Sequence, residues 1–346
     1  DEGEDLDKVA EALAAVAEVE VVEFNTRIEL NVKRPIPADM TATTTRLATP
    51  QFNDPLATKQ WDLHNTGEVL SDNDKYKDKA VAGMDINLHE AWKYTTGDSS
   101  IIVAVVDQGV DHTHEDLAAN MWVNKGEIPN NGKDDDKNGY IDDVHGYNFV
   151  AKHGVISTDS RYDTGHGTHV AGVIAAVNNN GLGISSIAGG NGSESGVKIM
   201  SCQIFAGEYV GTLLDEVRAI KYAADNGAVI ANNSWGYSPT AYYNDGEYEQ
   251  GNSVVQDAIN YFKTNGGLEG VMDGGLMIFA AGNDSVDYAN YPGAYNSNVC
   301  VASMAPNFTP AFYTNYGPGC KIAAPGGEWL GVSGDYSTMI LSTGKG

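Results

Sequence analysis

The chain holds 346 residues, which at about 150 residues per domain implies roughly two domains, or one large domain with an appendage. It carries 47 acidic side chains against 21 Lys and Arg, a net charge of −26. That balance disfavours nucleic acid and anionic membranes as partners, since phosphate binding rests on Lys and Arg, and it favours acidic loops that hold cations. The longest purely aliphatic run covers six residues, 101–106, far below the ~20 of a membrane helix, so no membrane span is expected.

The sequence opens on Asp1 with no initiator Met, no basic segment and no apolar leader, so a secreted or cell-envelope protein is expected whose signal peptide is not in this chain. Over residues 1–34, Leu6, Val9, Ala10, Leu13, Ala14 and Ala17 fall at helical spacing behind acidic residues that suit a helix N-terminus. Val19 and Val21, and then Ile28, Leu30 and Val32, alternate with polar residues and predict strand or hairpin. This is a small α/β segment. Residues 35–52, where Pro, Thr and Ala prevail without a period, predict a linker, and 53–346 a main domain.

Within that domain, strand-like apolar runs at 101–106, 197–205, 228–232 and 276–281 alternate with helical stretches at 168–177, 212–226 and 251–264. Short buried strands joined through helices predict an α/β fold, a mostly parallel sheet with helices on both faces. Such sheets place their sites at the carboxyl ends of the strands. The Tyr-rich stretch 237–248 predicts a surface loop. Three cysteines, Cys202, Cys300 and Cys320, have apolar neighbours and no Cys-x-x-Cys spacing. Buried free thiols are the plain expectation, and a single Cys300–Cys320 bridge is the alternative.

Three motifs sit at strand ends. Asp107-Gln108-Gly109 follows the run 101–106, where a carboxylate held at the end of a buried strand could orient an imidazole or merely cap a turn. His166-Gly167-Thr168-His169-Val170-Ala171-Gly172 places a His at the mouth of a helix whose small residues permit close packing. His166 and His169 are three apart, but the zinc-protease pattern of two His four apart with a Glu between them is absent. In Phe279-Ala280-Ala281-Gly282-Asn283 an apolar run ends in small residues and an amide able to donate to an oxyanion.

In that order, and with Asp116-Leu117, Asn233-Ser234-Trp235-Gly236 and Ala323-Ala324-Pro325-Gly326, these strings resemble the subtilase (subtilisin-like) serine proteases from about Trp61 to Thr343. The resemblance implies a subtilisin-like fold, with Asp107 orienting His166, His166 as general base and acid, and Asn283 as oxyanion donor. It further implies that Ser234, Trp235 and Gly236 pair with a peptide or protein substrate, and with Ala280, Ala281 and Gly282 wall its main pocket. Gln108 stands where the family usually has Ser or Thr. No Gly-Thr-Ser string, the family's setting for its nucleophile, occurs in the 346 residues, and Ser333, Ser337 and Ser342 lack that context. Residues 1–34 resemble the second half of an inhibitor-like propeptide, which would make this segment a partner of the main domain and the chain zymogen-like; an unrelated docking segment is the alternative.

Asp134-Asp135-Asp136-Lys137-Asn138-Gly139-Tyr140-Ile141-Asp142-Asp143 sets oxygens at positions 1, 3 and 5 and a Gly at position 6 of an EF-hand-like loop. Six acids and two lysines between Glu127 and Asp143 leave a net −4, which repels itself unless a cation sits within. Bound Ca²⁺ is expected at Asp134, Asp136, Asn138, the Tyr140 carbonyl and Asp142 or Asp143, with a solvated acidic turn as the alternative. By resemblance alone, Asp116 and Asn179 match a second calcium site. The expectation is therefore a serine endopeptidase whose nucleophile is not in this sequence. A non-catalytic peptide-binding pseudoprotease and a calcium-stabilised structural or adhesion domain remain open.

Overall fold

The computed structural model describes residues 6–15, 27–28, 52–67, 80–158, 163–206, 211–328 and 337–344. The linker expected over 35–52 lies outside these residues except for Phe52. The strand pattern of 19–32 also lies outside them, except for Arg27–Ile28. The helix expected at the start is present as α1 (Leu6–Ala14).

The centre is a seven-stranded sheet of β1 (Ile102–Asp107), β2 (Gly146–Asn148), β3 (Lys198–Gln203), β4 (Ile230–Asn233), β5 (Leu276–Ala280), β6 (Val299–Met304) and β7 (Ile322–Pro325). In space the order is β7-β6-β5-β4-β1-β3-β2, and each neighbouring pair is parallel. Successive side chains of a strand point to opposite faces, and β1 shows the consequence of being covered on both. Ile102, Ala104 and Val106 join a core with Ile220, Tyr222 and Ala223 of α3 (Leu213–Asp225) and Val255, Ile259 and Phe262 of α4 (Ser253–Asn265). Val103 and Val105 pack on Ala171 and Ala175 of α2 (His166–Ala175). The unbroken apolar run is thus what a two-faced burial requires.

Local chemistry fixes the helix starts. Thr212 and Asp215 form a reciprocal capping box ahead of α3. α4 presents Val255, Ala258, Ile259 and Phe262 to the core at one-face helical spacing. α2 has no side-chain cap and begins after Gly165, whose φ of 84° favours glycine. Its small residues set its place. A Cβ on Gly167 would enter the Gln108 carbonyl, and one on Gly172 would enter the Ser342 and Thr343 hydroxyls. Those hydroxyls donate to main-chain carbonyls of the same helix, Ser342 Oγ to His169 at 2.6 Å and Thr343 Oγ1 to Thr168 at 2.7 Å.

Three strands escape the periodicity, β2, β6 and β7. β2 has three residues, β6 carries Cys, Ser and Ala among its apolar positions, and β7 is an exposed edge reading Ile-Ala-Ala-Pro. The Tyr-rich stretch is not simply a surface loop. It contains a short helix, Asp245–Gly251, and Tyr248 is fully buried, stacked on Tyr291 at 4.9 Å. Several tyrosines stacking on one another supply the apolar area that the polar residues between them conceal in a linear reading. Cys202 and Cys300 are buried and Cys320 is half-buried, all as thiols.

The close approach at Gly172 gives a prediction whose sign opposes helix propensity. Ala favours a helix over Gly by about 1 kcal/mol, yet Gly172→Ala should lower stability by about 1–3 kcal/mol through overpacking against 342–343. Denaturant unfolding with an unchanged m-value measures this, and a stabilised variant would mean that the segment does not lie on the helix.

Candidate active site

Asp107 ends β1 at the carboxyl edge of the sheet, fully buried. Its Oδ1 accepts from His166 Nδ1 at 2.6 Å and from the Gln108 amide at 2.6 Å, while Oδ2 finds no donor among the described residues. A fully buried carboxylate is costly unless paired, and His166, 13% exposed, supplies the pair. An ionised Asp107 can only accept, so Nδ1 carries the proton and Nε2 is left as the basic nitrogen. Burial alone would lower the His166 pKa. The Asp107 charge, its hydrogen bond and the charge of Asp163 together outweigh that and raise it.

Gln108, the departure from the family pattern, serves as a fastener. Its Oε1 accepts from the Thr164 amide at 2.9 Å and the Thr164 hydroxyl at 2.8 Å, tying the residues that lead into α2 to the end of β1. Asp163 completes this turn by accepting from the Gly165 amide at 2.7 Å. The Gln108 link is not visible in the linear sequence, because it acts across a crossover of more than fifty residues. His169, one turn along α2, behaves in the opposite way. Burial, and then the neighbouring His166, push it down to about 4, so it stays neutral.

Asn283 is exposed and follows β5, which lies one strand beyond β4 from Asp107. Because the sheet is parallel, Asp107, Ser234 and Asn283 all emerge at the same edge. The turn that presents Asn283 is fixed from beneath. Gly282 has φ of 113°, and a Cβ there would clash with the side-chain amides of Asn315 and Asn290. Asn315 donates its amide to the Gly282 carbonyl at 3.0 Å and accepts from the Asp284 amide at 2.8 Å, and the Asn290 amide donates to the Ala281 carbonyl at 2.8 Å.

The residues expected to meet a substrate divide by depth. Ser234 is half-buried and its Oγ accepts from Asn232 at 3.0 Å. Trp235 turns into the core against Phe279, 5.6 Å between ring centroids. It can therefore offer a peptide its backbone but not its indole. Gly236 lies beside the Tyr291 carbonyl, which accepts from the Tyr237 amide at 2.7 Å. Ala281 is buried, with Ala280 and Gly282 half-buried around it.

In the acidic loop, Asp134 and Asp136 converge with Glu127, their oxygens lying within 4.8 Å of one another. Asn138 adjoins them, its amide donating to Asp134 and Asp136, each at 3.0 Å. Asp143 lies next to Asp136, since the Asn124 and Asn138 side-chain amides donate to both carboxylates, whereas Asp142 bonds to other groups. Asp143 is fully buried and accepts from Tyr222 Oη at 2.6 Å and from the Asn138 and Asn124 side chains. Asp142 accepts from the amides of Asn131 and Gly132. Glu127, seven residues before the motif, is the carboxylate that the spacing did not single out. At the other expected site Asp116 accepts from Asn180 Nδ2 at 2.8 Å, whereas Asn179 bonds to Asn53 and Asn191. Asn179 has a left-handed backbone, φ 59°.

A family model described as "Subtilase family" matches residues 98–345. Thermitase of Thermoactinomyces vulgaris is 30% identical over 272 residues, 78% of this chain and 77% of its own. The "Halolysin-like extracellular serine protease Nep" of Natrialba magadii is 31% identical over 77% of this chain and 42% of its own, and the halolysin of Haloferax mediterranei is matched over 40% of its length. The chain thus spans about two fifths of these last two relatives. Among solved structures, a protease of Pseudoalteromonas arctica superposes with a TM-score of 0.58 at 26% identity, covering 85% of this chain and 80% of that one. The motifs, the parallel sheet and these matches agree, and the chain belongs to the subtilase family.

Proposed function

We propose that this chain forms the Asp- and His-bearing body of a serine endopeptidase. The observation that carries the reading is the buried Asp107 carboxylate 2.6 Å from His166 Nδ1. In the proposed mechanism a serine hydroxyl presented to His166 Nε2 loses its proton to that nitrogen as it attacks the scissile carbonyl. Asp107 holds the tautomer and balances the imidazolium, and His166 then returns the proton to the leaving amine. Asn283 donates to the developing oxyanion. The backbone of Ser234–Gly236 aligns the substrate as an added strand, with Ala280–Gly282 opposite. The reading assigns the nucleophile to no residue of this sequence, which has no Gly-Thr-Ser string.

A zymogen-like role for residues 1–34 is supported by one contact. Arg27 and Ile28 pair antiparallel with Thr212 and Gly211, at the entrance to α3. A secreted location is supported by the net charge of −26 and by the extracellular relative. Among the described residues no helix is long and apolar enough to cross a membrane.

The activity test uses a serine-directed fluorophosphonate. The 346-residue chain should bind peptides without labelling, since His166 has no serine to activate. A chain extended past Gly346 by a segment bearing Gly-Thr-Ser-Met-Ala should label and hydrolyse, and His166→Ala should then cost about 10⁴-fold or more in kcat. Labelling of the unextended chain would place the nucleophile among its own serines. An inert extended chain, with residues 1–52 removed and Ca²⁺ present, would favour peptide binding without catalysis.

We further propose a structural Ca²⁺ in the acidic loop. Three carboxylates with oxygens this close form a hard-oxygen site, and among the described residues no Lys or Arg ion pair neutralises them. Glu127, Asp134 and Asp136 would hold the ion, with the Asn138 oxygen and the Tyr140 carbonyl beside them. The ion would supply charge balance and loop rigidity, and no catalytic step. Ca²⁺ at a hundredfold excess over its Kd should stabilise the fold by about 2.7 kcal/mol. Chelation should lower the Tm, and Asp136→Asn should abolish the response. A Tm indifferent to both Ca²⁺ and exhaustive chelation would contradict the site.

A further inference from the structure

We propose that Cys300 and Cys320 are a dithiol–disulfide pair whose oxidation clamps the turn supporting Asn283. Cys300 lies within β6, fully buried, and Cys320 immediately precedes β7, half-buried. The two strands run parallel with Val301 opposite Ile322, and the Lys321 amide donates to the Cys300 carbonyl at 3.0 Å. Cys320 is therefore the chain neighbour of the residue bonded to Cys300. Both sulfurs enter one small cluster with Ala281, Ala289, Ala294 and Ala302, and the two thiols hydrogen-bond to each other. Side chains no larger than alanine leave these sulfurs as the bulk of that space. Cys202 is different: it sits in the large core under α3, outside this cluster.

The two thiols are not equivalent. The hydrogen bond from Cys300, aided by the Lys321 charge, lowers the Cys320 pKa against the effect of burial. Cys320 is also the less buried sulfur. It is the attacking thiolate when a small-molecule disulfide, of the class of oxidised glutathione, approaches. Attack breaks the oxidant's S–S bond, joins one half to Cys320 and expels the other as a thiol. Cys300, giving up its proton, then attacks the Cys320 sulfur and expels the second half. Two protein thiols lose two electrons, the oxidant gains them, and the two protons leave on the two released thiols.

The consequence lies beneath the candidate oxyanion turn. In the reduced pair Cys320 Sγ donates to the Asn315 main-chain oxygen at 3.9 Å, which puts Cys320 against the residue that holds Gly282 and Asp284; the disulfide gives up this bond, so the coupling runs through the strap that leads to Cys320. Residues 317–319 are fitted to the following loop. The Pro318 carbonyl accepts from the Ala289 amide at 3.2 Å, and a Cβ on Gly317 would enter the Asp287 carbonyl. A bond from Cys320 to β6 anchors this strap to the sheet and closes the loop between residues 300 and 320, restricting the unfolded chain as well. The pair stands whether or not the protease reading does.

The test exposes the purified chain to oxidised glutathione and titrates thiols under denaturing conditions. Of the three cysteines, one thiol should remain, and non-reducing peptide mapping should find Cys300 joined to Cys320 with Cys202 free. Oxidation should also slow hydrogen exchange at the amides of Asn290 and Asn315, and reduction should restore it. Cys320→Ser should keep both remaining thiols and lose the exchange effect. Three persistent thiols, a glutathione adduct that never closes, or a linkage through Cys202 would overturn the pair. A formed bond with unchanged exchange at these amides would overturn the clamp.

Discussion

The hydrogen bond between Asp107 and His166 sets the terms for the rest of the molecule, because the sheet delivers a carboxylate to a fully buried place. Every side chain from Ile102 to Asp107 is buried, so Asp107 arrives at the strand end fixed and fully enclosed. There the His166 imidazole and the Gln108 amide supply its Oδ1 with hydrogen bonds. The imidazole must in turn be delivered by a helix lying almost against the strand end. Gly165, Gly167 and Gly172 permit that approach, and Gln108 and the hydroxyls of Ser342 and Thr343 hold it. The small residues of α2 are thus a condition of the Asp107–His166 contact.

A second constraint is charge. The acidic loop 127–143 is tied to the core through Asp143 and Tyr222, whose ring packs among Tyr140 and Phe149. Tyr222 belongs to α3, which also covers β1. Asp143 thus joins the loop to a helix that packs on β1, and the proposed cation would stiffen that connection. The two thiols of β6 and β7 offer a comparable anchor on the other wing of the sheet, under the turn that presents Asn283. Both lie outside the reacting groups and act on how firmly those groups are held.

Much of this was legible in the sequence because it is encoded locally. The two-faced burial of β1 writes itself as an unbroken apolar run, and Asp107 ends a strand, His166 begins a helix and Asn283 closely follows a strand, each inside a short string. Elements without such a signature were not legible. β7 is an edge strand of Ile, Ala, Ala and Pro, and its apolar content reflects pairing with β6 and not burial. Tyr248 is buried by other tyrosines, from residues 237 to 295, a relation that no window of periodicity covers. The acidic loop shows the same limit. Spacing marked Asp134 and Asp136, while Glu127 joins them through a fold of the loop, and Asp116 bonds to Asn180 and not to Asn179.

The most direct measurement of the central claim is the pKa of the His166 imidazole, followed by NMR in the intact chain and in Asp107→Asn. With its partners ionised, His166 should titrate above the ordinary histidine value near 6.5. The pair's contribution to stability should then be complete below that value and fade as pH rises through the raised one. Asp107→Asn should bring the titration down, because burial is then opposed by the Asp163 charge without that of Asp107. A His166 that titrates below 6.5 in the intact chain, with no response to Asp107→Asn, would contradict the account.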